Sequence, residues 1–233
     1  MMKGVLFGDK HSYHDWGLIL KDRPEIGPPP PKYIRIEIPG SDGMLDATTS
    51  LTGDVNYETR PITCIFTVIG NRDRWSDIYS EILNYLHGIE IKCVMDDDPG
   101  YYYIGRFEVD EWKSKQTTST ITIKGTVNPY KYEMFSSLED WLWDPFDFET
   151  GIIREYKDLV VDGIKVLIIE GRRKPIIPTI TVSNVMTLTY NDKRYLLTSG
   201  ENRILDLVLK QGENKLMFKG YGTVSVDYRG GKL

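Results

Sequence analysis

The stretch "IEIKCVMDDDPGYYYIGRFEV", residues 89–109, predicts a long β-hairpin whose two strands are joined by aspartates, a proline and a glycine. Apolar residues occupy alternate positions on both sides of the aspartates, which is the period-two pattern of half-buried strands. Aspartate side chains bond nearby backbone N–H groups, proline fixes φ and glycine accepts positive φ. A calcium loop of the EF-hand type needs ligands at alternating positions, which adjacent aspartates do not supply. We therefore interpret Asp96, Asp97 and Asp98 as a turn rather than a metal site.

Composition bounds the class of protein. The 233 residues suffice for one large β domain or two smaller ones. The net charge of −5 does not favour non-specific nucleic-acid binding. Cys64 and Cys93 lie in apolar strand patterns, so we expect buried, reduced thiols rather than a disulfide. The first residues are too weakly apolar for a signal peptide, and no stretch approaches a transmembrane helix, so we expect no membrane association.

One segment has helical periodicity, and most of the rest alternates like strands. Apolar residues of "NRDRWSDIYSEILNYLHG" (71–88) recur at the three- and four-residue spacing of a helix face. Asn71 or Asp73 is the predicted N-cap, and Gly88 suits the left-handed position after the helix. Strand faces are predicted for these positions: Ile62, Cys64, Phe66 and Val68; Ile121, Ile123 and Val127.

The C-terminal part reads as a second β unit after an aromatic junction at residues 128–150. Short strand patterns are separated by turn-like "YNDKRY", "SGEN", "QGEN" and "KGYG", which is typical of a β-sandwich or jelly roll. The predicted strand positions are Ile180 and Val182; Met186, Leu188 and Tyr190; Leu205, Leu207 and Leu209; Leu216 and Phe218; Val224, Val226 and Tyr228. "GPPPPK" (27–32) is interpreted as a stiff extended connector.

No residue pattern indicates catalysis. His11 and His14 with Asp15 could hold a metal. Because metal sites usually need a third or fourth ligand, we interpret these residues as a polar turn. His87 follows the helix, where a cation suits the dipole. Nucleophile elbows, Walker A motifs and dinucleotide fingerprints are absent from the sequence. We therefore expect no catalytic residue, no cofactor and no metal.

Two groups of residues leave a sugar-binding alternative open. Acidic residues alternate with aromatic residues in the junction, where they could line a sugar-binding groove. We favour the alternative of an interdomain clamp, in which the aromatic side chains are buried and the acidic ones are solvated. These residues are Asp140, Asp144, Asp147 and Glu149 with Trp141, Trp143, Phe146 and Phe148. Residues 151–233 contain no Trp and no His, which leaves only Tyr190, Tyr195 and Tyr221 as stacking faces for a sugar.

Several stretches follow one another in a distinctive order over nearly the whole chain. They are "HDWGLIL" (14–20), "IEIPGSDGMLDAT" (36–48), "NYETRPITCIFTVIG" (56–70), the helix ending in "LHG" (86–88), "MDDDPGYYYIGRFEV" (95–109) and "GENKLMFKGYGTVSVDYRGGKL" (212–233). Together they resemble the distal tail protein (Dit) family of siphophages. The resemblance implies a mainly β fold of two domains. Residues 1–133 would be a β-sandwich with one α-helix and an extended hairpin that forms a ring, and residues 134–233 a galectin-like β-sandwich.

The resemblance also implies a function. Members of the family are not enzymes but structural virion proteins, and six copies form a hub at the distal end of the phage tail. The implied partners are the tail tube protein, the tail-associated (Tal) protein and receptor-binding or baseplate proteins, with assembly in the host cytoplasm. A carbohydrate-binding module for host cell-wall adhesion is the alternative. Because fold does not imply function, oligomeric state and glycan binding discriminate the two hypotheses.

Overall fold

The computed structural model describes residues 4–50, 53–68, 72–114, 118–139 and 156–233. Contacts divide the chain into two compact units. The first comprises residues up to Asp98 together with Tyr102–Pro129, and the second comprises Pro99–Tyr101 and Tyr130–Leu233. Both units are built mainly of antiparallel strands, and one α-helix lies in the described part of the first. The predicted mainly β fold class is therefore confirmed.

The first unit is a curled antiparallel sheet with a helix. Its elements are β1 Val5–Phe7, β2 Lys10–His11, β3 Leu18–Leu20, β4 Glu25–Ile26, β5 Arg35–Glu37, β6 Met44–Asp46, β7 Arg60–Val68, α1 Trp75–Leu86, β8 Ile89–Met95, β9 Tyr101–Ser114 and β10 Ser119–Val127. The strand order of the sheet is β2-β1-β8-β9-β10-β7-β3, and β4 pairs with β7 beside β3. A separate two-stranded hairpin, β5–β6, pairs with no other described strand.

The predicted strand faces form the core of the first unit. Alternate residues of β7 and β10 are buried, including all those predicted at positions 62–68 and 121–127. The helix buries Trp75, Ile82 and Leu86 against the same core. Its N-cap is Arg74, which makes no side-chain capping bond, so the predicted Asp73 cap is wrong; Asp73 lies in the preceding 3-10 turn, and Asn71 is outside the described residues. The left-handed Gly88, with φ 77°, is confirmed.

The buried cysteines are also confirmed as unpaired thiols. Cys64 and Cys93 are both free and fully buried in the core of the first unit. Burial raises the pKa of Cys64 to about 12 and raises that of Cys93 well above its usual value. Both thiols are therefore protonated and unreactive at neutral pH.

The second unit is built around one long strand. Its elements are β11 Lys131–Glu133, β12 Leu159–Gly171, β13 Thr179–Val182, β14 Met186–Tyr190, β15 Lys193–Leu197, β16 Gly200–Arg203, β17 Gly212–Asp227 and β18 Gly231–Lys232. The long strand β17 pairs with β12 along one side and with β13 and β14 along the other. The sheet order is β15-β14-β17-β13-β16. A small ladder joins β11 to β18.

Three features of the second unit differ from the sequence-based expectations. The "KGYG" stretch is not a turn, because residues 219–222 lie inside the sixteen-residue β17. The predicted strand at 205–209 is wrong: Leu205 is exposed in a turn, and Leu209 makes only an isolated bridge to Ile176. The thirteen-residue β12 was not predicted, although its apolar run is visible in the sequence.

Candidate functional site

The aspartate turn has tertiary contacts that turn propensity did not predict. Asp96 Oδ2 accepts a hydrogen bond from the Gly4 N–H at 2.6 Å and lies 3.2 Å from His11 Nε2. Asp97 forms an ion pair with Arg23 at 3.0 Å. The turn itself is closed by the Asp98 N–H, which donates to the Met95 carbonyl. These carboxylates therefore contact different neighbours instead of converging on one point.

The histidines support backbone structure. His11 Nδ1 accepts hydrogen bonds from the Tyr13 and His14 N–H groups, and the Asp15 carboxylate accepts one from the His11 N–H at 2.7 Å. With Nδ1 occupied by two donors, the His11 proton lies on Nε2, which faces Asp96. His87 Nδ1 accepts from the Val109 N–H at 3.1 Å, so it ties the helix end to β9. No group of three potential metal-ligating side chains occurs in the ranges that the structure describes.

A second polar cluster that sequence patterns missed fixes the helix. The Tyr85 hydroxyl lies at the β1–β2 turn, where it donates to the Asp9 carboxylate and accepts from the Asp9 N–H at 3.1 Å; its oxygen also lies 3.0 Å from the Phe7 carbonyl oxygen. The hydrogen bond from Tyr85 lowers the pKa of the Asp9 carboxyl, and burial raises the pKa of the Tyr85 hydroxyl. The Trp16 indole N–H adds a bond to the Glu81 carboxylate at 3.2 Å.

The three tyrosines considered for sugar stacking differ in their exposure. Tyr190 is buried, and its hydroxyl contacts the Val208 carbonyl and Asn214 Oδ1, both at 2.8 Å. Tyr195 is half-buried, and Tyr221 is 70% exposed. The junction candidates Asp140–Glu149 lie outside the described residues. Of the three tyrosines, Tyr221 alone presents an open ring face.

The β5–β6 hairpin is a fully exposed surface of the first unit. Every residue from 32 to 46 is exposed. Three register pairs join the strands: Arg35 with Asp46, Ile36 with Leu45, and Glu37 with Met44. Side chains alternate across a hairpin, so Ile36 and Leu45 share one face with Ile34 and Ile38, while Arg35, Glu37, Met44 and Asp46 share the other. The hairpin is therefore amphipathic, although neither face is buried.

The base of this hairpin is held by polar bonds that involve Thr48. Thr48 is buried at the base; its hydroxyl accepts from the Ile34 N–H at 3.1 Å, and its N–H donates to Asp46 Oδ1 at 2.9 Å. A hydrogen bond with the Thr48 side chain lowers the pKa of the Asp46 carboxyl. The proline-rich connector runs extended beside residues 56–58, where the Glu58 N–H donates to the Pro30 carbonyl.

An exposed apolar hairpin on a fixed base is suited to contact with another molecule. Ile36 is 48% exposed and Leu45 is 53% exposed, so the central pair of the apolar face remains in contact with water. Two-stranded hairpins are marginally stable by themselves, and burying aliphatic side chains is favourable at about 25 cal/mol per Å². A partner that covers this face would stabilise the hairpin. The strand of this hairpin could have been predicted from the sequence, because isoleucines occupy alternate positions before the "PGSDG" turn.

The fold is shared with a solved phage protein. The whole chain superposes on the whole of the SPP1 Dit (gp 19.1) protein with a TM-score of 0.67 and 13% sequence identity. That protein is described as a paradigm of the hub adsorption apparatus in phages that infect Gram-positive bacteria. No family model and no curated protein sequence matches the chain. In the part of the chain that the structure describes, no helix is long and apolar enough to cross a membrane.

Proposed function

We propose that the chain is a distal tail protein, a structural component of a phage virion rather than an enzyme. In this proposal, six copies close into a ring that continues the tail tube, and the ring joins the tube to tail-tip or baseplate proteins. The full-length fold similarity to a phage hub protein supports the class. The exposed apolar face of the β5–β6 hairpin is the observation that supports assembly, because contact with another protein would remove its apolar side chains from water.

The ring interface is proposed to lie within residues 1–133, with residues 134–233 outside it. A ring needs a heterologous contact, in which one surface of each copy meets a different surface of the next. The β5–β6 hairpin suits this geometry, since it is exposed and pairs with no other described strand of its own unit. The remaining partners proposed are the tail tube protein, the Tal protein and receptor-binding or baseplate proteins. The location is the distal end of the tail, after assembly in the host cytoplasm.

Electron microscopy of the purified full-length protein tests this function. Negative-stain images are expected to show closed rings with six-fold symmetry in top views. The variant Ile36→Ser, which alters the apolar face of the hairpin, should reduce the number of rings. Met44→Ser, on the opposite face of the same hairpin, is the matched control and should leave the rings intact. Monomeric particles in the unmodified protein at all concentrations would exclude the proposed ring.

Host-sugar binding by the second unit is the less favoured function. The exposed ring of Tyr221 is the observation in its favour, but Tyr190 is buried and residues 151–233 contain no Trp or His. We therefore predict no saturable heat when the protein is titrated with galactosides or with host cell-wall polysaccharide. Tyr221→Ala should give the same flat titration. Saturable binding that disappears in Tyr221→Ala would instead assign the second unit to carbohydrate recognition.

A further inference from the structure

The outward side of the second-unit sheet carries an apolar strip along β12, which lies at the sheet edge and pairs among the described strands with β17 alone. Ile164 is 61% exposed and Ile168 is 54% exposed, with Val166 exposed between them. In register across the sheet, Met217 on β17 lies opposite Val166. Leu196 on β15 is 71% exposed and lies in the same cross-strand row as Ile164.

Three cations are interleaved with this strip. Lys219 is opposite Ile164, and Lys215 is opposite Ile168. Arg194 on β15 continues the row of Val166 and Met217 through Thr189. All three cations are exposed, and none forms an ion pair with another described residue. Together with Ile164, Val166, Ile168, Met217 and Leu196 they form what we term the cationic apolar face.

The acidic residues closest in register lie at the two ends of this face. Asp162 is opposite Tyr221, and Glu170 is opposite Glu213. The rows between these ends contain no carboxylate in the described strands. An interface with an apolar centre and charges of one sign selects a partner of the opposite sign, since like charges brought together are costly.

We infer that the cationic apolar face binds a segment of another protein in which apolar side chains are flanked by Asp or Glu. Two copies of this chain meeting face to face would bring cations against cations. The strip itself consists of aliphatic side chains, which lack the ring faces on which sugars stack; the exposed Tyr221 lies one row beyond it, opposite Asp162. Membrane-surface binding typically uses an amphipathic helix with Trp, Phe or Leu on its apolar side, whereas these side chains stand on strands. If the proposed hub function holds, this partner is another tail protein; the rest of the inference does not depend on that function.

The test uses a displayed random-peptide library panned on the full-length protein, followed by titration of a synthetic peptide with the enriched sequence. We expect enriched peptides in which Asp or Glu neighbours aliphatic residues, with affinity that falls as salt is raised. The double variant Lys215→Glu and Lys219→Glu should weaken binding about tenfold or more, because it places like charges together. Lys210→Glu, an exposed lysine of the same unit outside the face, should bind like the unmodified protein.

Several outcomes would overturn this inference. Enriched peptides without acidic residues, or binding unchanged in the double variant, would remove the assignment. Binding to vesicles of phosphatidylglycerol and phosphatidylcholine that the double variant abolishes would assign the face to a membrane. Self-association lost in Ile164→Ser would assign it to a second copy. If the double variant does not fold by circular dichroism, Lys219→Gln replaces it, with a smaller expected loss. Ring formation, scored by microscopy on the same preparations, reports separately on the proposed function.

Discussion

At the scale of single residues, Asp96 links the start of the described chain to the β8–β9 turn. Its carboxylate bonds the Gly4 N–H and faces His11, so it joins the β8–β9 turn to the β1–β2 region, which lies 85 to 92 residues away in sequence. A charged acceptor in such a position contributes more than a neutral turn residue does. The aspartates therefore turn the chain, and at least one of them also holds it in place.

We predict that Asp96→Ala lowers the free energy of unfolding by about 1 kcal/mol, because the Gly4 N–H and His11 lose their shared acceptor. Urea unfolding followed by fluorescence measures this change. Asp22→Ala is the matched control, since Asp22 is exposed and makes no hydrogen bond or ion pair with a described residue. Equal stabilities of the two variants would show that the contacts of Asp96 with Gly4 and His11 add no measurable stability. Added Ca²⁺ or Mg²⁺ should not shift the melting temperature of the unmodified protein.

The Tyr85–Asp9 bond predicts a pH dependence. The folded-state pKa of Asp9 is lowered, so its contribution to stability is present above the unfolded-state pKa of about 4 and is lost as pH falls through the folded value. Tyr85→Phe should therefore lower the melting temperature near neutral pH, and its difference from the unmodified protein should shrink in acid. A difference that stays constant from neutral pH to strong acid would contradict the role of the Asp9 charge.

At the scale of elements, β17 shows that glycines can mark close packing inside a strand as well as a turn. Gly222 has φ 138°, and a Cβ at this position would lie 2.4 Å from Ser183 Oγ. Gly163 on β12 also has positive φ, but a Cβ there would meet nothing within 4 Å. The first position combines backbone strain with a steric clash, whereas the second has strain alone.

Gly222→Ala is accordingly predicted to destabilise the second unit by about 2–3 kcal/mol, and Gly163→Ala by only about 1 kcal/mol. Thermal unfolding followed by circular dichroism separates the two variants. The order of the two effects is the informative result. If Gly163→Ala were the more damaging substitution, the close approach of Ser183 to Gly222 would not be the reason for this glycine.

Local patterns predicted the elements whose signal is local. The alternation in β7 and β10 and the helical spacing in α1 were read correctly, because burial on one face imposes these periods directly. The continuity of β17 was not predicted, since its glycines have the composition of a turn and only their neighbours across the sheet show otherwise. The roles of Asp96 and Tyr85 also depend on partners more than seventy residues away in sequence.

At the scale of the whole molecule, each unit has its own core, and each leaves an apolar surface uncovered. In the first unit this surface is the apolar face of the β5–β6 hairpin, and in the second it is the cationic apolar face. Exposed apolar patches of this kind mark interaction sites in soluble proteins. A hub that joins a tube to tip proteins requires contacts of two kinds, one with its own copies and one with different partners.

Light scattering on the full-length protein tests the central claim most directly, because it gives the mass of the assembly in solution. We predict a mass of six chains at high protein concentration and smaller species on dilution, as mass action requires. Ile36→Ser should shift this series toward the monomer, whereas Met44→Ser should not. A monomeric mass over the whole series, or a hexamer equally stable in Ile36→Ser and in the unmodified protein, would contradict assembly through the hairpin.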